Sequence, residues 1–210
     1  MRVATHHPRT SLILCAVVGL LGGIASGKSH VARLLVARGA VWLNADEAGH
    51  DVLREPDVKR LLVERWGPTI LDESGEVDRR MVAAIVFAKT PSGANELAWL
   101  ESVSHPRIRA KLEQRIAKLR NGPTPVAVLD APVMLKSGWD RLCDLVIFVN
   151  AREDVRLERA IKRGWTAEEF AAREASQEPL SVKRRERKSN WIIPVIRIIL
   201  KSKWNGFGRD

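Results

Sequence analysis

Cysteine is scarce in this 210-residue chain: there are two, Cys15 and Cys143, and both sit inside apolar runs. That argues against a disulfide scaffold and reads as two small buried hydrophobes in a reducing compartment. No Cys/His pair has zinc-ligand spacing, and His6-His7 falls in what reads as a loose N-terminal extension, residues 1–10. No stretch is long and apolar enough to span a bilayer. Arg2 and Arg9 followed by Ser11 to Ala25 have the outline of a secretory signal, but the run flows directly into Ser26-Gly27-Lys28-Ser29. Cleavage there would destroy that segment, so the expectation is a cytoplasmic protein with no membrane partner. Internal repeats and low-complexity tracts are also missing, which leaves a single globular domain with enough chain for a sizeable core.

Acidic residues are in deficit, and the formal net charge is +10. The excess is not spread evenly. Nine basic and two acidic residues between 181 and 210 give +7 there, leaving +3 for everything before. A nearly balanced body argues against a nucleic-acid partner and suits a polyanionic small ligand.

What the chain does have is Gly22-Gly23-Ile24-Ala25-Ser26-Gly27-Lys28-Ser29, which fits G-x-x-x-x-G-K-[ST], the phosphate-binding P-loop. The unbroken apolar run Leu12 to Val18 before it reads as a buried parallel strand. Val31, Leu34 and Leu35 after it share one helix face, and Gly39 follows as a stop. In that setting backbone N–H groups and the helix N-terminus cradle phosphate oxygens, Lys28 reaches the β- and γ-phosphates, and the Ser29 hydroxyl can ligate Mg²⁺.

Further short strands are expected at Ala40 to Leu43, Val126 to Leu129, Leu145 to Val149 and Trp191 to Ile193. Helical patterns run between them. Asp78 to Leu119 is almost wholly helical, interrupted near Pro91-Ser92-Gly93 and bent near His105-Pro106. Arg152 to Arg163 is a helix, Thr166-Ala167-Glu168-Glu169 is a capping box opening another, and Pro179 starts a last charged piece. Strands alternating with helices imply an α/β fold with a parallel sheet flanked by helices, and a ligand site at the carboxyl ends of the strands.

Two carboxylates and a pair of arginines fall near that edge. Asp46 follows the second strand, where a kinase needs a base for an attacking hydroxyl; it equally fits a helix N-cap. Asp130 ends four apolar residues in the manner of a Walker B segment, or of any strand-end aspartate. Arg159 and Arg163, four apart before Gly164, suit either a lid that neutralises a transferring phosphoryl or an exposed helix laced with Glu158–Lys162 pairs.

Taken in order, these residues resemble the dephospho-CoA kinase family from about Ala16 to about Ile193. The resemblance is carried by Val18 to Ser29, Asn44-Ala45-Asp46, Gly75-Glu76-Val77-Asp78-Arg79, Val86-Phe87, His105-Pro106, Asp130-Ala131-Pro132-Val133-Met134-Leu135, Arg159, Arg163 and Ser176-Gln177. It implies a P-loop NTPase-type kinase domain over residues 11–193, with a helical substrate-binding insertion at about 47–120 and a lid at about 159–188. It implies transfer of the ATP γ-phosphoryl to the 3′-hydroxyl of dephospho-CoA, with ATP and Mg²⁺ required. Asp46, Lys28 and Arg163 then take the catalytic roles. Gly22 to Ser29, His30 and Arg159 bind ATP. Arg79, His105, Pro106, Asp130 and Pro132 make the substrate side, and Ser29 with Asp130 holds the metal. A monomer or weak homo-oligomer is expected.

The chain departs from the family at three places. Asn44 replaces the first acid of an Asp-x-Asp pair, Lys136 stands where an acid is usual, and the closing register breaks at Pro194, leaving 194–210 as an atypical basic tail. Two other functions fit the same residues less fully. One is a P-loop kinase acting on a nucleoside, nucleotide or related hydroxyl; the other is a nucleic-acid-binding protein with a decayed kinase core.

Overall fold

A computed structural model describes residues 15–88, 90–175 and 177–185. Four parallel strands form one sheet in the order β2-β3-β1-β4. They are β1 (Ala16–Gly22), β2 (Val41–Asn44), β3 (Val126–Asp130) and β4 (Leu145–Val149). Every residue of β1 is buried, as expected of a central strand covered on both faces. The strand is placed later than the apolar run suggests, reaching Gly22, while Leu12 to Leu14 lie outside the described residues, as does the strand expected at Trp191 to Ile193.

Alternation along β1 sorts its side chains between two cores. Ala16, Val18 and Leu20 pack with Ala32 of helix α1 (Lys28–Val36) and with Val126, Val128 and Leu145. Cys15, Val17 and Leu21 pack into a larger core on the other face. That core is closed by α2 (Ala45–Leu53), α3 (Pro56–Trp66) and α5 (Pro91–Arg120), with α4 (Arg79–Val86) set against α5. Neither cysteine is in a disulfide.

The α5 helix corrects two expectations. It begins at Pro91 rather than breaking there: Thr90 caps the new helix by accepting the Gly93 N–H, and Pro91 takes the first helical position where no N–H is needed. Pro106 then sits inside an uninterrupted helix. Ser104, Ile108, Leu112 and Ile116 bury one face at four-residue spacing, and that packing outweighs the one backbone hydrogen bond that a proline removes.

After β4 come α6 (Glu153–Ile161), α7 (Ala167–Ala175) and α8 (Leu180–Arg185). The α6 helix is shorter than its charge pattern suggests. It ends before Arg163 and turns through Gly164 at φ +84°, so Arg159 and Arg163 do not share a helix face. The Glu158–Lys162 pair does form, at 2.6 Å. The capping box is reciprocal: Thr166 N–H donates to Glu169 Oε2 at 2.9 Å and Glu169 N–H to Thr166 Oγ1 at 3.1 Å. Among the described residues no helix is long and apolar enough to cross a membrane.

Candidate active site

The turn between β1 and α1 is built for close approach. A Cβ at Gly22 (φ +153°) would lie 2.5 Å from the Val149 carbonyl oxygen and 2.7 Å from Ser26 Oγ. Gly27 (φ +106°) is the N-cap of α1 and offers no side chain to cap it, leaving the helix N-terminus facing outward as an anion site. Ala25 is held at φ +56°, a conformation non-glycine residues adopt at a cost and keep mainly where function demands it.

Lys28 is half-buried, and its ammonium donates to the carbonyls of Gly22 (3.1 Å) and Gly23 (3.0 Å). Burial pulls its pKa down; Asp130 opposes that, and the nearby charges of Lys183, Arg156 and Arg163 reinforce it. Ser29 Oγ donates to Asp130 Oδ2 at 3.5 Å, a long contact between residues 101 positions apart. Asp130 ends β3 directly beside β1, with Leu20 as its register partner, and Asn44 of β2 is its partner on the other side. Burial raises the Asp130 pKa, Lys28 opposes the rise, and Asp46 adds to it. Three strands therefore deliver the P-loop, Asp130 and Asp46 to one edge.

Asp46 is not the helix cap. Asn44 takes that role, its Oδ1 accepting the N–H groups of Asp46 (3.0 Å) and Glu47 (3.4 Å), and Asp46 lies exposed in the first turn of α2. Its carboxylate is thus free of capping duty. Arg159 reaches back from α6 to donate to the carbonyls of Ser26 (3.0 Å) and Ala25 (3.3 Å). Arg163 stands in the turn past α6, within electrostatic range of Lys28. His30 is exposed on the first turn of α1.

Beyond Asp46 a cavity of about 400 Å³ opens between α2, α5 and the segment after β3. Asp46, His105 and Pro132 line it, with Trp139 and Ile108 among its apolar walls. His105 packs edge-on against Trp139 at 5.3 Å between ring centroids, and Ser137 Oγ lies 3.4 Å from its Nδ1. Burial pulls the His105 pKa down. His50 and Leu53 also line a second cavity of about 280 Å³, in which Arg79 and His50 are in hydrogen-bond contact. Pro106 does not line the first cavity; its neighbour His105 does. Lys136, the departure after Leu135, pairs with Glu101 at 2.6 Å.

Sequence reasoning missed His50, Ser104, Ile108 and Trp139 on the cavity wall. His50 lies four residues after Asp46 on α2 and Ile108 three after His105 on α5, so helix periodicity from the two expected site residues would have found those two; Ser104, adjacent to His105, and Trp139, beyond β3, carry no such signal. It also missed Arg156 and Lys183, each 2% exposed, because both sit in segments whose charge reads as solvated.

A family model described as dephospho-CoA kinase matches residues 16–195. The chain is 40% identical over 169 residues to a dephospho-CoA kinase of Geobacillus kaustophilus, spanning 79% of this chain and 82% of that one. It is 35% identical over 191 residues to the dephospho-CoA kinase of Rhodopirellula baltica, spanning 91% and 85%. The crystal structure of TT1252 from Thermus thermophilus superposes with a TM-score of 0.68 at 29% identity, covering 92% of this chain and 98% of that one. The dephospho-CoA kinase of Campylobacter jejuni shares the fold, with a TM-score of 0.56 at 20% identity over 90% and 96% of the two chains.

Proposed function

The chain belongs to the dephospho-CoA kinase family, and from that premise we propose that it phosphorylates the 3′-hydroxyl of dephospho-CoA with ATP to give coenzyme A and ADP. One observation carries the residue assignment. Asp46 lines the 400 Å³ cavity on one side and on the other stands near enough to Asp130, beside the P-loop, to raise its pKa. A carboxylate between an acceptor pocket and a phosphate site is placed to take a proton from one and present the oxygen to the other.

The P-loop and Arg159 hold the ATP phosphates, and Lys28 follows the β- and γ-phosphates as a point charge. Asp46 accepts the 3′-hydroxyl proton as the ribose oxygen bonds to the γ-phosphorus. The bond from that phosphorus to the bridging oxygen breaks, and ADP leaves. Lys28 and Arg163 stabilise the charge on the transferring group, and the segment from Arg159, whose described part is 159–175 and 177–185, acts as a lid that excludes water. His105 and Pro132, with Arg79 on the adjoining wall, position the acceptor.

Ser29 and Asp130 suit Mg²⁺. They are a hydroxyl and a carboxylate in contact, hard oxygen donors few enough to leave the ion its waters and phosphate oxygens. Bound there, Mg²⁺ neutralises phosphate charge. No cluster of three or more His, Cys, Asp or Glu side chains that could cage a metal exists among the described residues. We place the enzyme in the cytoplasm as a monomer or weak homo-oligomer.

The test is ADP release with ATP, Mg²⁺ and dephospho-CoA, against nucleosides, nucleotides and shikimate as acceptors, for the wild type and Asp46→Asn. Dephospho-CoA should be the preferred acceptor, and Asp46→Asn should lose roughly 10²–10⁴-fold in turnover with ATP affinity nearly unchanged. Preference for another acceptor, or full turnover of the variant, would overturn the reading.

A further inference from the structure

Two cations inside the molecule have no part in the chemistry above. Arg156 on α6 and Lys183 on α8 are both 2% exposed. A buried charge is costly unless paired, so its neighbours say what it is for. The Arg156 guanidinium donates through Nη1 to Glu174 Oε1, near the end of α7, and its carbon lies 5.5 Å from the Phe170 ring centroid on the same helix. It also lies against the phosphate loop. A Cβ on Gly23 would sit 2.7 Å from Nη1 and 3.2 Å from Leu180 Cδ2 on α8. Lys183 Nζ donates to Gln177 Oε1 at 2.7 Å, fastening α8 to the turn behind α7. One planar group therefore stands beside the P-loop in the space a Gly23 side chain would take, donates to an α7 carboxylate and faces an α7 ring.

Between these parts lies a cavity of about 280 Å³, lined by Gly23, Arg156, Glu174, Gln177, Glu178 and Lys183 among others. That cavity separates the α7–α8 segment from the loop, with Gly23 and Arg156 both in its wall.

We propose that Arg156 is a positioning residue: its buried guanidinium clasps the lid helix α7 to the P-loop at Gly23, so that lid closure and the shape of the phosphate cradle change together. An apolar side chain would fill the same space without the cost of desolvating a charge, and such replacements of buried ion pairs are often neutral or stabilising. What the guanidinium adds is direction: a rigid fork toward Glu174, a flat face toward Phe170 and an edge toward the loop. Its charge also acts on the loop's working lysine, since Arg156 and Lys183 both disfavour the protonated form of Lys28.

The inference rests on the kinase reading, and its test separates the two. Melting temperature, kcat and both KM values are measured for the wild type, Arg156→Lys, Arg156→Met, Glu174→Gln and the double variant Arg156→Met/Glu174→Gln. The double variant removes the half-buried Glu174 carboxylate together with its guanidinium partner, so it should regain part of the melting temperature lost by Arg156→Met. A clasp that positions the loop predicts that its kcat/KM for ATP nevertheless stays about ten- to a hundredfold down, the scale of a small misplacement in an active site, with the KM for dephospho-CoA little changed. Arg156→Lys, which keeps the charge and loses the fork, should fail in the same direction. Return of the double variant to wild-type kinetics would overturn the proposal.

A second arm needs no acceptor: ATP should protect the lid arginines of the wild type from trypsin and should not protect the double variant. Equal protection of both would also overturn the clasp. A wild type inactive on dephospho-CoA, with ATP protection that the double variant loses, would sink the acceptor assignment and support the clasp.

Discussion

Asn44 Oδ1 accepts the backbone N–H of Asp46 at 3.0 Å, so the amide that ends β2 fixes where the carboxylate two residues later begins α2. Losing an N-cap of this kind costs about 1 kcal/mol, which in a domain of this size lowers Tm by roughly 2–4 °C. Asn44→Ala should show that drop and should also lower turnover more than ATP affinity, because the start of α2 sets the place of Asp46. Asn44→Asp restores an equally good cap, so its melting temperature should match the wild type and its turnover should stay near it. Calorimetry and steady-state rates on the two variants check this. An alanine variant that melts and turns over like the wild type would show that Asp46 is placed by something else.

Lys28 rests on the carbonyls of Gly22 and Gly23, and burial holds its pKa below that of a free lysine. Its ammonium is hydrogen-bonded to loop oxygens, with Asp130 in electrostatic range, so a phosphate that displaces those oxygens gains a counter-charge in a partly dry site. Lys28→Ala should therefore cost about 10²–10³-fold in rate, the scale of losing one such stabiliser. The fold should persist, since the substitution relieves a desolvated charge. Circular dichroism and single-turnover rates are the measurements, and a rate within a few-fold of wild type would remove Lys28 from the mechanism.

The parts of the site that are continuous in sequence were legible there. The P-loop is eight consecutive residues behind an apolar run, and Asp130 closes a second such run, so local pattern placed both at strand ends, while the role of Asp130 stayed open between a Walker B acid and a plain strand-end aspartate. Positions that depend on how helices meet were not. Pro106 reads as a bend, yet the core contacts of Ile108, Leu112 and Ile116 carry the helix through it. Arg159 and Arg163 read as one face, yet the helix stops at Ile161 and only Arg159 is hydrogen-bonded to the loop. Arg156 and Lys183 read as solvated charges because only the meeting of α6, α7 and α8 buries them.

His105 lies in the cavity wall with its pKa pulled down by burial; Glu101 opposes this, and Lys136 reinforces it. A folded-state value below the ordinary one of about 6.5 means that the unfolded chain takes up this proton first. The stability contributed by the neutral ring is present above that pH and is lost as pH falls toward the folded-state value. His105→Gln should therefore flatten the decline of melting temperature between about pH 7 and pH 5. It should also weaken dephospho-CoA binding more than ATP binding. Parallel melting curves for wild type and variant across that range would show that His105 does not titrate against the fold.

Asp130 is the group for which function and stability should part most clearly. Burial raises its carboxyl pKa, the attraction of Lys28 does not cancel the rise, and Asp46 adds to it. The folded state therefore disfavours the ionised acid more than the unfolded chain does. A group with a raised folded-state pKa contributes stability below its unfolded value and loses it as pH rises through the folded one. At neutral pH the ionised Asp130 is then a charge that the fold carries at a cost. Asp130→Asn keeps the shape and removes that charge, so its melting temperature should exceed the wild type's at pH 7, with the gain narrowing as the pH is lowered toward 5. The same change takes an anionic oxygen from beside Ser29. If Asp130 helps to hold Mg²⁺, the metal concentration for half-maximal rate should rise about 10–100-fold, the cost of losing a carboxylate that supports a bound ion. A more stable and less active variant is the expected trade. Melting curves from pH 5 to 8 and a Mg²⁺ titration of the rate decide it. A gain in stability that does not depend on pH would mean that burial of the charge is not its cause, and an unchanged Mg²⁺ requirement would take Asp130 out of the metal site.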